Sequence, residues 1–198
     1  MIRIAVVGDI GVGKSYVAKK FGFPVFNADA EVEKLYKKSR KCYKKLKKKL
    51  PKHITSFPIK KNELSQAIID NKKNLKKIIK IVHPEVRIRM NNFIKKNKKN
   101  FFIVLDIPLL LENKINKKND ILVFVEAKKK DINKKLKKRH ISSQIILKRL
   151  KKFQLPVEIK KKKADFIIKN NFKNNSVKKS VKKVIKKILF NARSYTRY

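Results

Sequence analysis

The sequence predicts an α/β domain of three layers, a five-stranded parallel sheet flanked by helices. Three observations carry that expectation. Five short apolar runs rich in β-branched residues are continuous rather than alternating, as strands buried on both faces are. Helical periodicity fills the stretches between them, and strands that alternate with helices imply right-handed crossovers. A glycine-rich loop stands directly between the first run and the first helical pattern.

The elements follow in order. Ile2–Val7 reads as the first strand and Tyr16–Phe21 as the helix after the loop. Pro24–Asn27 is a second, short strand. Val32, Leu35, Tyr36, Ser39, Tyr43, Leu46 and Leu50 then fall on one helical stripe. Leu75, Ile78, Ile79 and Val82 repeat the spacing, with lysine pairs on the opposite face. No convincing strand lies within 30–100, which reads as a helical insertion. Phe101–Asp106 and Ile121–Glu126 are the third and fourth strands, and 128–163 reads as a second helical insertion or flap. After Asp165–Ile168, the fifth strand, Val177, Val181, Val184 and Ile188 form a last stripe opposite Lys178, Lys179, Lys182, Lys183, Lys186 and Lys187. Pro51, Pro58, Pro84, Pro108 and Pro156 are expected to punctuate the segments. The sheet core is thus assigned to 1–29, 101–127 and 164–191.

Composition narrows the classes. A length of 198 residues suits one domain with inserted subdomains, and 42% apolar residues with 12 Phe suffice for a core. Lysine or asparagine interrupts every apolar run before the roughly 18 residues a membrane span requires. Cys42 is the only cysteine, which excludes a disulfide framework, and a reducing, cytoplasmic compartment is expected. The formal charge is +43, yet only eight of the 57 basic residues are arginine, the forked donor that reads phosphate and guanine bidentately. The lysines are spread along the chain with abundant asparagine and isoleucine. Salt-dependent, non-specific attraction for polyanions is therefore expected, and specific nucleic-acid recognition is not.

Gly8-Asp-Ile-Gly-Val-Gly-Lys14-Ser15 matches G-x-x-x-x-G-K-[ST] in full, in the strand–loop–helix setting its mechanism requires. Backbone amides of Gly8, Gly11, Val12, Gly13, Lys14, Ser15 and Tyr16 are placed to wrap the phosphates of ATP, and the helix adds its positive end. Lys14 is expected to reach the β- and γ-phosphates and the Ser15 hydroxyl to hold Mg²⁺. Asp106, ending the third strand, is the natural second carboxylate for that ion. Asp29 follows the second strand and has two readings: a base for an attacking hydroxyl, or the N-cap of a helix starting at Ala30. His83-Pro84 on its own reads as a helix-ending surface pair.

Together these landmarks resemble the dephospho-CoA kinase family. The matching pieces run in the family's order: the loop Gly8–Ser15, Gly22-Phe-Pro-Val-Phe-Asn-Ala-Asp29, His83-Pro-Glu-Val-Arg87 and Leu105-Asp-Ile-Pro-Leu-Leu-Leu-Glu112. Lys135-Leu-Lys-Lys-Arg139, Gln154-Leu-Pro156 and Ala164-Asp-Phe-Ile-Ile-Lys-Asn170 complete them. The resemblance implies a P-loop kinase fold that moves the ATP γ-phosphoryl group to the ribose 3′-hydroxyl of dephospho-CoA. It makes Asp29 the base, puts His83 and Arg87 in the segment that shapes the acceptor pocket, and makes Arg139 a lid arginine over the phosphates. On this reading 30–100 is the acceptor-binding insertion and 128–163 the lid.

The chain departs from the family pattern in places. Asp9 stands where glycine is usual and Asn27 where aspartate is common. Lys135 replaces a frequent arginine. An acidic Asp9 is expected to weaken triphosphate binding unless its side chain is turned away. Two other functions fit the loop alone: another P-loop kinase acting on a nucleoside or nucleotide, and a basic RNA- or polyanion-binding protein on a nucleotide-binding fold.

Overall fold

Strand β1 (Ile2–Gly8) is buried on both faces: Ile4, Ala5 and Val6 are fully enclosed and Val7 nearly so. That burial is why the run is continuous in apolar character. The computed structural model describes residues 1–137 and 141–194. After β1 come α1 (Lys14–Lys20), β2 (Val25–Asn27), α2 (Ala28–Lys38), α3 (Arg40–Lys49), α4 (Lys61–Asp70) and α5 (Lys72–Lys96). Then follow β3 (Phe102–Asp106), β4 (Ile121–Glu126), α6 (Lys129–Lys137), α7 (Ile141–Lys151), α8 (Val157–Lys162), β5 (Phe166–Lys169) and α9 (Asn174–Ser194).

The five strands form one sheet in the order β2-β3-β1-β4-β5, with β1 in the middle. β1 pairs in parallel with β3, Val6 opposite Asp106, and with β4, Gly8 opposite Val125. β4 pairs in parallel with β5. The chain leaves β1 toward one edge and later fills the other, so the carboxyl end of β1 is the switch point where open α/β sheets hold ligands.

The described chain divides into two compact units. The sheet unit comprises 1–26, 99–136 and 154 onward. Its core joins Ile4 and Val6 of β1 to Val17 and Ala18 of α1, to Phe21 at that helix's C-cap, and to Val177, Val181, Val184 and Ile188 of α9. The six α9 lysines of the expected polar face are exposed. At the far end of the sheet, Arg3 pairs with Asp120 through Nε and Nη2, each at 2.8 Å.

The helical unit comprises 27–98 and 137–153 and has its own core, built on Leu35, Cys42, Leu46, Leu64, Ile68, Leu75, Ile78 and Val82. Ile146 and Leu150 of α7 pack against it. Arg149 donates to the carbonyl of Ile68, and to that of Ile69 at 3.0 Å, satisfying carbonyls that the end of α4 leaves unpaired. Residues 128–163 are therefore shared between the units: α7 belongs with the helices, while α8 and most of α6 belong with the sheet.

Two expectations are corrected. The stripe from Val32 to Leu50 is not one helix. Ser39 adopts an extended conformation between α2 and α3, and its hydroxyl accepts the Cys42 amide at 3.2 Å, so it caps α3. Pro84 does not punctuate a segment and His83-Pro84 does not end a helix; both lie inside α5. Proline removes one donor, but buried Leu75, Ile78 and Val82 before it and Met90 after it hold both halves of α5. Among the described residues, no helix is long and apolar enough to cross a membrane.

Candidate active site

The loop from Gly8 to Ser15 leaves the carboxyl end of β1 and enters α1 directly. Gly13 is the N-cap of α1 with φ +86°, a left-handed conformation that a side chain resists. A Cβ there would also collide with the side-chain amide of Asn170. At Gly8 a Cβ would lie 2.6 Å from the carbonyl oxygen of Val125 on β4. These two glycines are required by neighbouring strands as well as by the loop's curvature.

Lys14 Nζ donates to the carbonyl oxygens of Asp9, at 2.8 Å, and Gly8, at 3.2 Å. The ammonium thus lies along the loop's own backbone. Asp9 does not project clear of the loop: its Oδ1 accepts the Ile10 amide at 2.7 Å. Ser15, in the first turn of α1, is exposed. Asp106 ends β3, is only 2% exposed, and lies in register with Val6 of β1. Both are hard oxygen donors, the chemistry Mg²⁺ prefers. Among the described residues, no three His, Cys, Asp or Glu side chains gather into a metal cage.

Asp29 is exposed in the first turn of α2. It is not the cap. Asn27 holds that position, with Oδ1 accepting the Ala30 amide at 2.7 Å. The substitution of an asparagine where aspartate is common therefore keeps a capping side chain. The same turn is fastened by Glu31, which accepts from Arg89 of α5 at 3.0 Å and from Lys34 at 2.6 Å. Burial works to raise the Glu31 pKa, but those two cations outweigh it and hold the carboxyl below its usual range. His83 and Arg87 are one helical turn apart on α5. Partial burial, and then the Arg87 charge, push the His83 pKa below that of an ordinary histidine, so its imidazole is neutral at neutral pH.

Gly8–Tyr16 and Asp106 belong to the sheet unit, and Asp29, His83 and Arg87 to the helical unit. Arg139 lies outside the described residues. Sequence reasoning named Asn170 and Lys135 only as parts of matching motifs and did not foresee their contacts around the loop. Asn170, 2% exposed, donates through Nδ2 to the Val12 carbonyl at 2.8 Å. Lys135 places Nζ 3.7 Å from the centroid of the Phe172 ring. Asn170 closes one of the matching motifs, but only the fold brings it to residue 12.

A family model described as dephospho-CoA kinase matches residues 2–176. The chain belongs to the dephospho-CoA kinase family. It is 36% identical over 170 residues to the dephospho-CoA kinase of Wolbachia pipientis wMel, covering 83% of this chain and 87% of that protein. Two solved structures share the fold, each 24% identical to this member of the family. One is a Thermus thermophilus protein with a TM-score of 0.72, covering 95% of this chain and 97% of its own. The other is the dephospho-CoA kinase of Campylobacter jejuni, with a TM-score of 0.61, covering 95% and 98%.

Proposed function

We propose that this dephospho-CoA kinase family member transfers the γ-phosphoryl group of ATP to the ribose 3′-hydroxyl of dephospho-CoA. The observation that carries the reading is the glycine-rich loop, set at the carboxyl end of the central strand and continuing into a helix, in a chain that belongs to this family. Amides of Gly8, Gly11, Val12, Gly13, Lys14, Ser15 and Tyr16 bind the phosphates, and Lys14 exchanges its backbone carbonyls for β- and γ-phosphate oxygens. Asp29 takes the proton of the attacking 3′-hydroxyl. The hydroxyl oxygen forms its bond to the γ-phosphorus as the bond to the β–γ bridging oxygen breaks, and ADP departs with that electron pair.

Ser15 and Asp106 would hold Mg²⁺, which supplies neutralisation of phosphate charge when bound. His83 and Arg87 bind the acceptor: the neutral imidazole offers one donor and one acceptor, and the guanidinium a charge for its phosphates. Arg139 serves as the lid arginine that meets charge on the transferring group. Closure of the lid keeps water from the donor, which an open site would hydrolyse.

The deciding experiment measures ATP consumption with dephospho-CoA against a panel of nucleosides and nucleoside monophosphates. The expected product is coenzyme A, with dephospho-CoA preferred by at least an order of magnitude in kcat/KM. A nucleoside phosphorylated as well or better would overturn the acceptor assignment and favour a nucleoside kinase.

A further inference from the structure

We infer that Asn170 is a positioning residue for phosphate binding, acting through the Val12–Gly13 peptide. The inference rests on the proposed use of the loop to bind ATP. Asn170 follows β5, where its backbone amide donates to the Glu126 carbonyl at the end of β4 at 2.7 Å. That bond fixes its Cα on the sheet edge beside the loop. Its buried side chain then uses both ends. Nδ2 donates to the Val12 carbonyl at 2.8 Å, and Oδ1 accepts the Phe172 amide at 2.9 Å. The two partners define the orientation of the amide, because a flipped side chain would set oxygen against oxygen and N–H against N–H.

The consequence follows from peptide geometry. In a planar trans peptide the C=O and N–H point in opposite directions. Drawing the Val12 oxygen toward Asn170 turns the Gly13 N–H away from it, toward the side left for phosphate. Gly13 also has to lack a side chain because the Asn170 amide occupies the space its Cβ would fill. Asparagine is suited to this task. Aspartate would aim an oxygen at the Val12 carbonyl, and an apolar residue of the same size would leave that carbonyl buried without a partner. Asn170 touches no phosphate itself; it sets the direction of a group that does.

The test uses Asn170→Leu and Asn170→Asp in the full chain. Leucine keeps the size and removes both bonds without adding charge; aspartate keeps the bond to Phe172 and loses the one to Val12. Calorimetric titration with MgATP is expected to show affinity reduced about tenfold or more in both, the effect of one buried hydrogen bond lost next to a binding group. KM for dephospho-CoA is expected to stay within about twofold. A residue that only stabilised the sheet would lower the thermal midpoint and leave the ATP affinity of the folded protein unchanged, and that outcome overturns the role. In the wild-type chain, the Asn170 side-chain NH₂ protons are expected to exchange slowly with water by NMR. Exchange as fast as an exposed asparagine's overturns the clamp without any variant. A wild-type chain that fails to bind ATP defeats the functional reading and this role together, whereas normal wild-type binding with unaltered variants defeats this role alone.

Discussion

The Lys14 ammonium donates to the carbonyl of Asp9 at 2.8 Å, while the Asp9 carboxylate accepts the amide of Ile10 at 2.7 Å. The cation proposed to grip phosphate and an anion that would repel it are thus fixed within one short loop. Lys14→Met is expected to lower kcat/KM for ATP by about 10²–10³, the usual loss when one charge-stabilising donor is removed. Asp9→Asn keeps the acceptor for Ile10 and removes only the charge. It is expected to tighten ATP binding severalfold at low ionic strength, with the gain shrinking as salt is added. Titrations at two salt concentrations check both; an Asp9→Asn effect indifferent to salt would show that charge is not the cause.

Asn27 and Asp29 share one turn of α2 with separate roles, one capping and one proposed as base. Asn27→Ala is expected to cost about 1 kcal/mol of stability through the lost cap, while Asn27→Asp costs little. Asp29→Asn is expected to retain ATP affinity while turnover falls by about 10²–10⁴. Denaturation curves measure the first effect and steady-state kinetics the second. An Asp29→Asn enzyme with near wild-type turnover removes Asp29 from the chemistry.

Glu63 of α4 gathers five donors. Oε1 accepts the Thr55 amide, the Thr55 hydroxyl and the Ser56 amide, and Oε2 accepts the Ser56 hydroxyl and the Lys60 amide, all within 2.7–2.9 Å. Burial works to raise its pKa, but these hydrogen bonds prevail and pull it from the usual 4.5 to about 2. A depressed carboxylate stabilises the fold above its ordinary range, and that contribution disappears as pH falls from about 4.5 through about 2. Glu63→Gln is expected to cost about 1 kcal/mol at neutral pH, after allowance for solvent screening. The difference from wild type should close in acid. Thermal midpoints measured between neutral pH and pH ~2 provide the check; a gap that persists unchanged in acid contradicts it.

The Arg3–Asp120 pair ties β1 to the residue preceding β4, and both side chains are at least nine-tenths buried. Arg3→Met leaves a carboxylate enclosed without its counter-charge and is expected to cost about 3–5 kcal/mol in urea unfolding. Arg3→Met with Asp120→Asn is expected to recover much of that loss, because the asparagine oxygen still accepts the Lys117 amide that Asp120 now accepts at 2.9 Å. Equal losses in the single and double variants would mean the pair is not what stabilises this end of the sheet.

Much of the architecture was legible because burial writes itself into local patterns. Continuous apolar runs marked all five strands to within about two residues: β1, β3 and β4 are covered on both faces and so have no polar side, while β5 exposes Ile167 and Lys169 and was found by its short β-branched run. The lysine face of α9 and its valine stripe were readable for the same reason. Boundaries within the helical segments were less so. Ser39 sits on the apolar stripe and so looked continuous with it, although its hydroxyl starts a new helix. Pro84 looked like a stop because proline lacks a donor, yet buried neighbours on each side carry α5 past it.

The site divides along the same line. Eight residues in fixed spacing suffice to specify a phosphate-binding loop, because its amides and its lysine all come from one stretch of chain. Whether Asp29 or Asn27 caps α2, where the Asp9 carboxylate turns, and which residue holds the Val12 peptide depend on three-dimensional neighbours. Asn170 is 158 positions from Val12 and meets it only because β1, β4 and β5 align in parallel. Order along the chain determined the glycine-rich loop motif and the layers of the fold; tertiary packing alone decided which polar groups satisfy one another, since a hydrogen bond reads distance in space and not separation in sequence.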